Sequence, residues 1–323
     1  MQKEKLIQGV KNFTGKKLAV IGDVALDKYV FGKVERVNPE SPAAPLLKVE
    51  KKEYRLGCAA NVAKNLATLN ASVTLFCVIG NDFYKPIFEE LCKKSKVKLV
   101  NITEGETIVK ERSIESEFNK YLMRSDDGEH ELKSISENSE NQLYNSIRNS
   151  GAEAIILSDY NKCIFKNNLA KKIIEWANNK NIPIIVDPKP QNINSFSSST
   201  ILCPNIKEAR EIIGNNGDEK EITKKLKEKL DTKYMIVTCG KKGMVVYNGE
   251  GFTLIPTKAR ELVDVTGAGD TVTSLIALSL ISGLSLEESA HVANHAAGIV
   301  IGKQGTSSLT QEELIQDLMQ NFN

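Results

Sequence analysis

The run from Asp264 to Asp270, which reads D-V-T-G-A-G-D, combines two glycines with a closing carboxylate directly before a helical pattern. Gly267 and Gly269 permit a tight backbone turn, so that successive N–H groups at the start of the helix can point at an anion. Asp270 would lie in the first helical turn, where a carboxylate can accept a proton from an attacking hydroxyl. An alternative is a glycine-rich turn whose aspartate only caps the helix. The pattern predicts an anion site with a candidate general base.

Other catalytic motifs are absent from the sequence. It contains neither the phosphate-loop pattern G-x-x-x-x-G-K-[ST] nor the H-R-D and D-F-G runs of protein kinases. There are only three histidines and no H-E-x-x-H, which argues against zinc hydrolysis. The six cysteines form no C-x-x-C pair, and we interpret them as buried free thiols, with a metal or redox site as the alternative. Phosphoryl transfer would therefore need a different architecture.

Composition describes a globular chain without an obvious macromolecular partner. Of 323 residues, 41% are hydrophobic and 26% charged, which is ample for a large core. The 43 basic and 41 acidic side chains are interspersed, so nothing favours nucleic-acid binding. The amino-terminal stretch has no apolar signal core, and no later segment is apolar for ~18 residues, the length that would span a membrane. We expect a cytoplasmic protein that binds no membrane.

Short apolar strands alternate with amphipathic helices along most of the chain. This alternation is typical of βαβ units and predicts an α/β fold with a doubly wound, mainly parallel sheet and helices on both faces. The predicted strands are 17–21, 73–79, 154–157, 182–186, 201–203, 235–238 and 244–247. The predicted helices are 59–69, 84–94, 139–149, 167–179, 206–213, 220–229 and 271–281.

Two stretches interrupt this alternation, at about residues 29–54 and 107–124. Both read as strands without a crossover helix, and we predict that they form one small β-sheet lid over a ligand at the carboxyl ends of the main strands. The alternative is a pair of hairpins without a gating role. No linker interrupts the chain, so residues 1–323 are predicted to form a single domain.

The chain resembles the ribokinase-like family of carbohydrate kinases, also called the phosphofructokinase B family. One family signature is similar to Gly57 through Asn70, G-C-A-A-N-V-A-K-N-L-A-T-L-N, and the other to Asp264 through Asp270. The likeness extends from about Leu18 to Leu309. It implies a ribokinase-like fold, ATP as phosphoryl donor and Mg²⁺ as cofactor.

Within that family, narrower runs resemble the group that phosphorylates the anomeric hydroxyl of D-glycero-β-D-manno-heptose 7-phosphate in lipopolysaccharide synthesis. The partner would then be a small phosphorylated sugar. One alternative is a kinase of the same fold that acts on fructose, fructose phosphate or a nucleoside. Another is a sugar-sensing protein of this fold without turnover. The runs are G-D-V-A-L-D-K-Y from Gly22, L-S-D-Y-N-K from Leu157, V-D-P-K from Val186, P-N with Glu208, and G-K-Q-G-T-S from Gly302.

The resemblance implies a role for several residues at the acceptor sugar. Asp270 would be the base, and the N–H groups of Gly267, Ala268 and Gly269 would offset developing charge. Asp27 resembles the carboxylate that binds sugar hydroxyls, with Asp23 as a second candidate. Gly57 and Asn61 would meet the sugar from the next helix, with helix capping as the alternative.

The resemblance also implies a nucleotide and cation site. Asn205 and Glu208 have the N-x-x-E spacing that puts both side chains on one helix face, where they would hold Mg²⁺ through water. The turn residues Thr238, Gly240 and Gly243 would lie under the nucleotide, and Asn294 would line the adenine pocket, unless it is simply solvated. Asp264 and Thr266, with backbone near Lys303 and Gly305, resemble a loop for a monovalent cation such as K⁺.

A phosphorylated acceptor needs cations of its own. Of the basic residues near the predicted site, we favour Arg112, Lys162 and Lys189 as ligands of the substrate phosphate; the others are Arg36, Lys110 and Arg124.

Two positions depart from the family pattern, because Cys58 and Asn70 stand where glycine is usual. Exposed lid strands favour a homodimer.

Members of the heptose group continue into a nucleotidyltransferase domain, whereas this sequence stops at Asn323. We therefore expect a separate protein to carry out the nucleotidyl transfer.

Overall fold

The computed structural model describes residues 3–129, 134–257, 267–303 and 307–322. In chain order, the strands are β1 (Lys17–Gly22), β2 (Val24–Lys33), β3 (Lys48–Cys58), β4 (Ser72–Ile79), β5 (Lys98–Thr103), β6 (Val109–Glu115), β7 (Lys120–Asp127), β8 (Ala154–Ser158), β9 (Ile184–Asp187), β10 (Ile201–Leu202), β11 (Tyr234–Thr238), β12 (Met244–Tyr247) and β13 (Phe252–Ile255). The helices are α1 (Lys3–Lys11), α2 (Ala59–Thr68), α3 (Lys85–Lys94), α4 (Glu137–Arg148), α5 (Leu169–Asn179), α6 (Ile206–Ile213), α7 (Glu219–Leu230), α8 (Ala268–Ile281), α9 (Leu286–Val300) and α10 (Gln311–Asn321).

The main sheet has the strand order β13-β12-β11-β10-β9-β8-β1-β4-β5. Its pairs are parallel from β11 to β5, and β12 and β13 are added antiparallel at one edge. The predicted class, a mainly parallel doubly wound α/β fold, is confirmed. Because the carboxyl ends of the parallel strands meet at one edge, the side chains that follow them converge there.

Helices cover both faces of the main sheet and bury it. In β1, Leu18 and Val20 pack into a cluster with apolar side chains of α2, α8 and α9, whereas Ala19 and Ile21 point to the opposite cluster with α4, α5 and α7. Burial on both faces explains why β1 is a continuous apolar run instead of an alternating one.

A separate four-stranded sheet, here called the small sheet, has the order β3-β2-β6-β7. Both stretches predicted to form one small sheet contribute to it. Its strands extend beyond the predicted bounds, because β2 begins at Val24, only one residue after β1 ends at Gly22. The chain therefore passes straight from the main sheet into the small sheet, and Asp23 marks the junction. None of the helices in the described ranges is long and apolar enough to cross a bilayer.

Candidate active site

A cavity of about 290 Å³ lies between the carboxyl edge of the main sheet and the small sheet. It brings together residues from both sequence signatures and from the small sheet. The side chains and glycines that line it include Asp27, Lys110, Arg112, Arg124, Asp187, Lys189, Asn205, Glu208, Thr238, Gly267, Gly269 and Asp270. Most of the predicted site residues are thus neighbours in space.

Asp270 lies in the first turn of α8, which begins after Gly267 in the left-handed conformation, with φ 82°. Its side chain is buried, and each carboxylate oxygen accepts one hydrogen bond. Asn61 Nδ2 donates to Oδ2 at 2.7 Å, and the Tyr160 hydroxyl donates to Oδ1 at 2.6 Å. Burial raises the pKa of Asp270, while these two hydrogen bonds lower it. The result is a fixed carboxylate that can take up a proton more readily than an exposed one.

Asp27 lines the same cavity from β2. Its Oδ1 accepts a hydrogen bond from Arg112 Nη1 at 2.7 Å, and both residues are buried. Gly57 packs against this carboxylate, since a Cβ at Gly57 would lie 2.9 Å from Asp27 Oδ2. The hydrogen bond from Arg112 orients the Asp27 carboxylate, and glycine at position 57 leaves the space that the carboxylate occupies.

Tyr160 follows β8 and links the base to two lysines. The ammonium groups of Lys110 and Lys189 lie 5.4 and 5.7 Å from the centre of its ring. Lys110 Nζ also donates to Cys58 Sγ at 3.2 Å, and burial raises the pKa of that thiol to about 12. The thiol is therefore neutral at physiological pH and acts as a weak acceptor, not as a nucleophile.

Asn205 and Glu208 form a capping box at the start of α6. Asn205 Oδ1 accepts from the backbone N–H of Glu208 at 3.0 Å, and Glu208 Oε2 accepts from the backbone N–H of Asn205 at 2.9 Å. Glu208 Oε1 pairs with Lys189 Nζ at 2.5 Å. Asp187 lies beside them with its pKa raised by burial. This edge of the cavity thus carries two carboxylates and one amide.

A second cavity of about 300 Å³ adjoins the first and shares Thr238 and Gly269 with it. Gly240, Gly243, Ala268 and Asn294 line it, together with apolar side chains of α8 and α9. Asn294 Nδ2 donates to the carbonyl of Pro256 at 2.8 Å, so its amide is held in place instead of being solvated. At Gly243 the φ is 92°, and a Cβ there would lie 1.9 Å from the Ile255 carbonyl oxygen.

Among the predicted residues that the structure describes, four line neither cavity: Asp23, Gly57, Asn61 and Lys162. The Asp23 carboxylate accepts backbone N–H groups of residues 160 and 162–164 and so fixes the loop that carries Tyr160. Lys162 Nζ pairs with Glu129 Oε2 at 2.6 Å, and Asn61 reaches the site only through Asp270. Asp264, Thr266 and Gly305, predicted for a monovalent cation, lie outside the described residues.

Tyr160 and Asp187 had no predicted role, although both lie in runs that resemble the family. Tyr160 lies two residues after the end of β8, and Asp187 is the last residue of β9. The position of both residues at the carboxyl edge of the sheet was the signal available in the sequence. Their partners, however, come from distant parts of the chain, such as Asp270 for Tyr160.

Comparison with known proteins agrees with this geometry. The sequence profile described as pfkB family carbohydrate kinase matches residues 16–313, so the chain belongs to this family and is a sugar kinase. It is 39% identical over 309 residues to the Bifunctional protein HldE of Haemophilus influenzae (strain PittEE) and 38% identical over 316 residues to that of Pasteurella multocida (strain Pm70). These matches cover 94% and 96% of this chain, but only 63% and 65% of the relatives' length.

Solved structures share the fold at low sequence identity. Phosphofructokinase-2 from Escherichia coli in complex with potassium superposes with a TM-score of 0.79 at 16% identity, over 95% of this chain and 98% of that one. Ribokinase from Arabidopsis thaliana complexed with ribose and ATP gives a TM-score of 0.70 at 18% identity, over 94% and 99% of the two chains. The ribokinase-like fold is thereby confirmed.

Proposed function

We propose that this sugar kinase transfers the γ-phosphoryl group of ATP to the anomeric hydroxyl of D-glycero-β-D-manno-heptose 7-phosphate, yielding the 1,7-bisphosphate for lipopolysaccharide core synthesis. The observation that carries the proposal is the position of Asp270, a buried carboxylate in the first turn of α8 where an acceptor cavity and a nucleotide cavity meet. The choice of heptose rests on the runs that resemble the heptose kinases and on the similarity to HldE proteins.

The acceptor would bind between Asp27 and Asp270. Asp27, held by Arg112, can accept hydrogen bonds from sugar hydroxyls at one end. At the other end, Asp270 accepts the proton of the attacking hydroxyl while Asn61 and Tyr160 keep its carboxylate in place. Because both groups are on rigid elements, the acceptor would be held in the orientation that in-line transfer needs.

The nucleotide would lie along the second cavity, with its base near Asn294 and its phosphates directed toward Gly267, Ala268 and Gly269. Backbone N–H groups at the start of α8 can then offset charge on the transferring phosphoryl oxygens. The apolar walls of this cavity suit a flat nucleobase. Thr238 and Gly243 line the same cavity and would lie under the nucleotide.

The oxygen donors near the phosphates fit a magnesium ion. Mg²⁺ keeps several waters and usually takes one or two carboxylates with substrate phosphates, which matches Glu208 and Asp187 beside Asn205. Among the described residues, no group of three or more His, Cys, Asp or Glu side chains could hold a metal alone. We therefore propose that these residues hold Mg²⁺ through water, where it would neutralise phosphate charge. The K⁺ loop at Asp264 and Thr266 stays a prediction.

The test is a comparison of acceptors with the purified protein and MgATP, followed by NMR of the product to locate the new phosphate. We expect heptose 7-phosphate to exceed fructose, fructose 6-phosphate and adenosine in kcat/KM by about 100-fold or more, because a site built around polar substrate groups rejects analogues that lack them. The new phosphate should be on the anomeric carbon. Equal or better use of another acceptor, or phosphate at a different position, would contradict the proposal.

A further inference from the structure

The four cations that line the acceptor cavity differ in their partners. Three of them are paired with a carboxylate at hydrogen-bonding distance: Arg112 with Asp27, Arg124 with Asp126, and Lys189 with Glu208. The fourth, Lys110, forms no ion pair with any carboxylate in the described ranges, and its hydrogen bond goes to the Cys58 thiol at 3.2 Å. Lys110 therefore has no carboxylate at ion-pair distance, although the charges of Asp27, Asp126 and Glu129 interact with its ammonium over longer distances.

This arrangement leaves the Lys110 ammonium with donors that a ligand can use. Lys110 is partly buried on β6, so its ammonium has lost part of its hydration. A thiol is only a weak acceptor and cannot replace the lost water, whereas an ammonium group offers three donors. The aromatic face of Tyr160 adds a modest attraction. An anion that enters the cavity can accept hydrogen bonds from the donors that the thiol leaves unused.

Cys58 is held in an unusual backbone conformation at this point. Its φ is 56° and its ψ is −136°, outside the regions that residues with a Cβ favour. Glycine would adopt this conformation without strain, whereas a residue with a Cβ has an energetic cost there. A side chain that is retained in a strained position beside a binding cavity points to a functional contact, and the contact here is with Lys110.

The position of Lys110 indicates which anion it meets. Lys110 pairs in register with Asp27 on β2, and both face the acceptor cavity. Lys110 does not line the second cavity, which we assign to the nucleotide. The cation therefore lies on the side of the site where the acceptor sugar binds.

We propose that Lys110 binds the phosphate that the acceptor sugar already carries, and that the Cys58 thiol is a positioning group that orients the ammonium before the sugar binds. The pair would make the kinase selective for phosphorylated acceptors. This inference rests on the proposed function, because it requires a sugar phosphate as substrate. It assigns the role to Lys110 in preference to Lys162, whose ammonium is paired with Glu129 outside the cavity.

The experiment measures acceptor binding by isothermal titration calorimetry without nucleotide, using heptose 7-phosphate and the unphosphorylated heptose. The variants are Lys110→Met, Cys58→Ala, Cys58→Ser and, as a matched control, Lys52→Met, an exposed lysine on β3 of the small sheet. We expect Lys110→Met to weaken binding of the phosphorylated sugar about 10- to 100-fold, as the loss of a charge-assisted hydrogen bond implies, and to leave the unphosphorylated sugar unchanged.

Cys58 should act through Lys110 and not through overall stability. Cys58→Ala should raise KM for the sugar phosphate with kcat nearly unchanged, Cys58→Ser should restore most of the affinity because a hydroxyl also accepts, and Lys52→Met should behave as wild type. The inference is overturned if Lys110→Met weakens both sugars equally, weakens only binding of an ATP analogue, or changes nothing. If the wild-type protein phosphorylates no sugar phosphate, the proposed function itself is contradicted. That result is distinct from the binding results that overturn only the role of Lys110.

Discussion

At the scale of single residues, the protonation of Asp270 sets the chemistry. An ordinary aspartate has a pKa near 3.9, and burial raises the value for Asp270. A base with a raised pKa becomes protonated, and inactive, at a higher pH than an exposed aspartate would. We therefore expect kcat to fall with decreasing pH along an acidic limb that lies above the ordinary aspartate range.

Tyr160→Phe tests the hydrogen bond that holds this base. The phenol donates to Asp270 Oδ1 and lowers the pKa of the carboxyl group, so its removal should raise that pKa further. The acidic limb of the kcat profile should then move to higher pH, with the larger loss of activity at low pH. The measurement is kcat from pH 5 to 9 for wild type, the variant and the control Tyr144→Phe on α4. An acidic limb in the same position for all three proteins would contradict this account.

Local patterns in the sequence indicated single candidate residues, but not their long-range partners. Asp270 was a candidate because its glycines and helix are neighbours in sequence, and Asp27 because the run from Gly22 resembles the family. Tyr160 was not predicted as the partner of Asp270, since 110 positions separate them and only the folded sheet brings them together. Likewise, sequence alone could not tell that the Asp23 carboxylate is occupied by backbone N–H groups of the following loop.

At the scale of elements, the start of α6 combines a structural and a binding role. The predicted spacing of Asn205 and Glu208 puts both on one face, and the same spacing produces the capping box that fixes the helix end at the cavity. Each residue retains polar atoms that the cap does not use. The helix end thus positions the Glu208 carboxylate and the Asn205 amide that we propose to organise Mg²⁺ through water.

Asn205→Ala should lower the free energy of unfolding by about 1 kcal/mol, because an N-cap is lost. If Asn205 also organises Mg²⁺, KM for MgATP should rise as well. The control is Asp218→Ala, which removes the N-cap of α7, where Asp218 accepts from the backbone N–H of Lys220. Urea denaturation should show similar losses for both, whereas only Asn205→Ala should alter KM for MgATP. An unchanged KM for that variant would leave Asn205 as a cap alone.

Most strands at the centre of the main sheet were predicted from the sequence, whereas its two edge strands, β5 and β13, were not. The buried strands from β8 to β11 are apolar on both faces and were evident as continuous runs. β5 is only partly buried and contains Lys98 and Asn101, and β13 has four residues, so neither gave a clear signal. The predicted boundary of the small sheet was wrong at its start, because β2 continues from β1 without a turn pattern between them.

At the scale of the whole molecule, the small sheet and its β6–β7 turn carry four exposed apolar side chains. Val49, Phe118, Tyr121 and Met123 are 48%, 78%, 48% and 58% exposed. Its order leaves β3 and β7 as edge strands. Exposed edges and apolar side chains favour association, which supports the proposed homodimer through this sheet. Whether the sheet also closes over the acceptor as a lid stays a prediction.

Met123→Lys should dissociate that dimer, because it places a charge in an apolar contact. Light scattering coupled to size exclusion should give about twice the chain mass of 35.6 kDa for wild type and a single chain mass for the variant. The matched control is Met319→Lys on α10, an equally exposed methionine far from the small sheet in sequence. A monomeric wild type, or dissociation by Met319→Lys alone, would exclude the small sheet as the interface.

The measurement that tests the central claim most directly is single-turnover phosphorylation by Asp270→Asn, with binding of the acceptor and of an ATP analogue measured on the same preparation. Asparagine keeps the shape of the side chain but cannot accept the proton. We expect both ligands to bind within a few-fold of wild type while the transfer rate falls by about 100- to 10,000-fold, the usual contribution of a general base. A transfer rate close to wild type would contradict the assignment of Asp270 as the base.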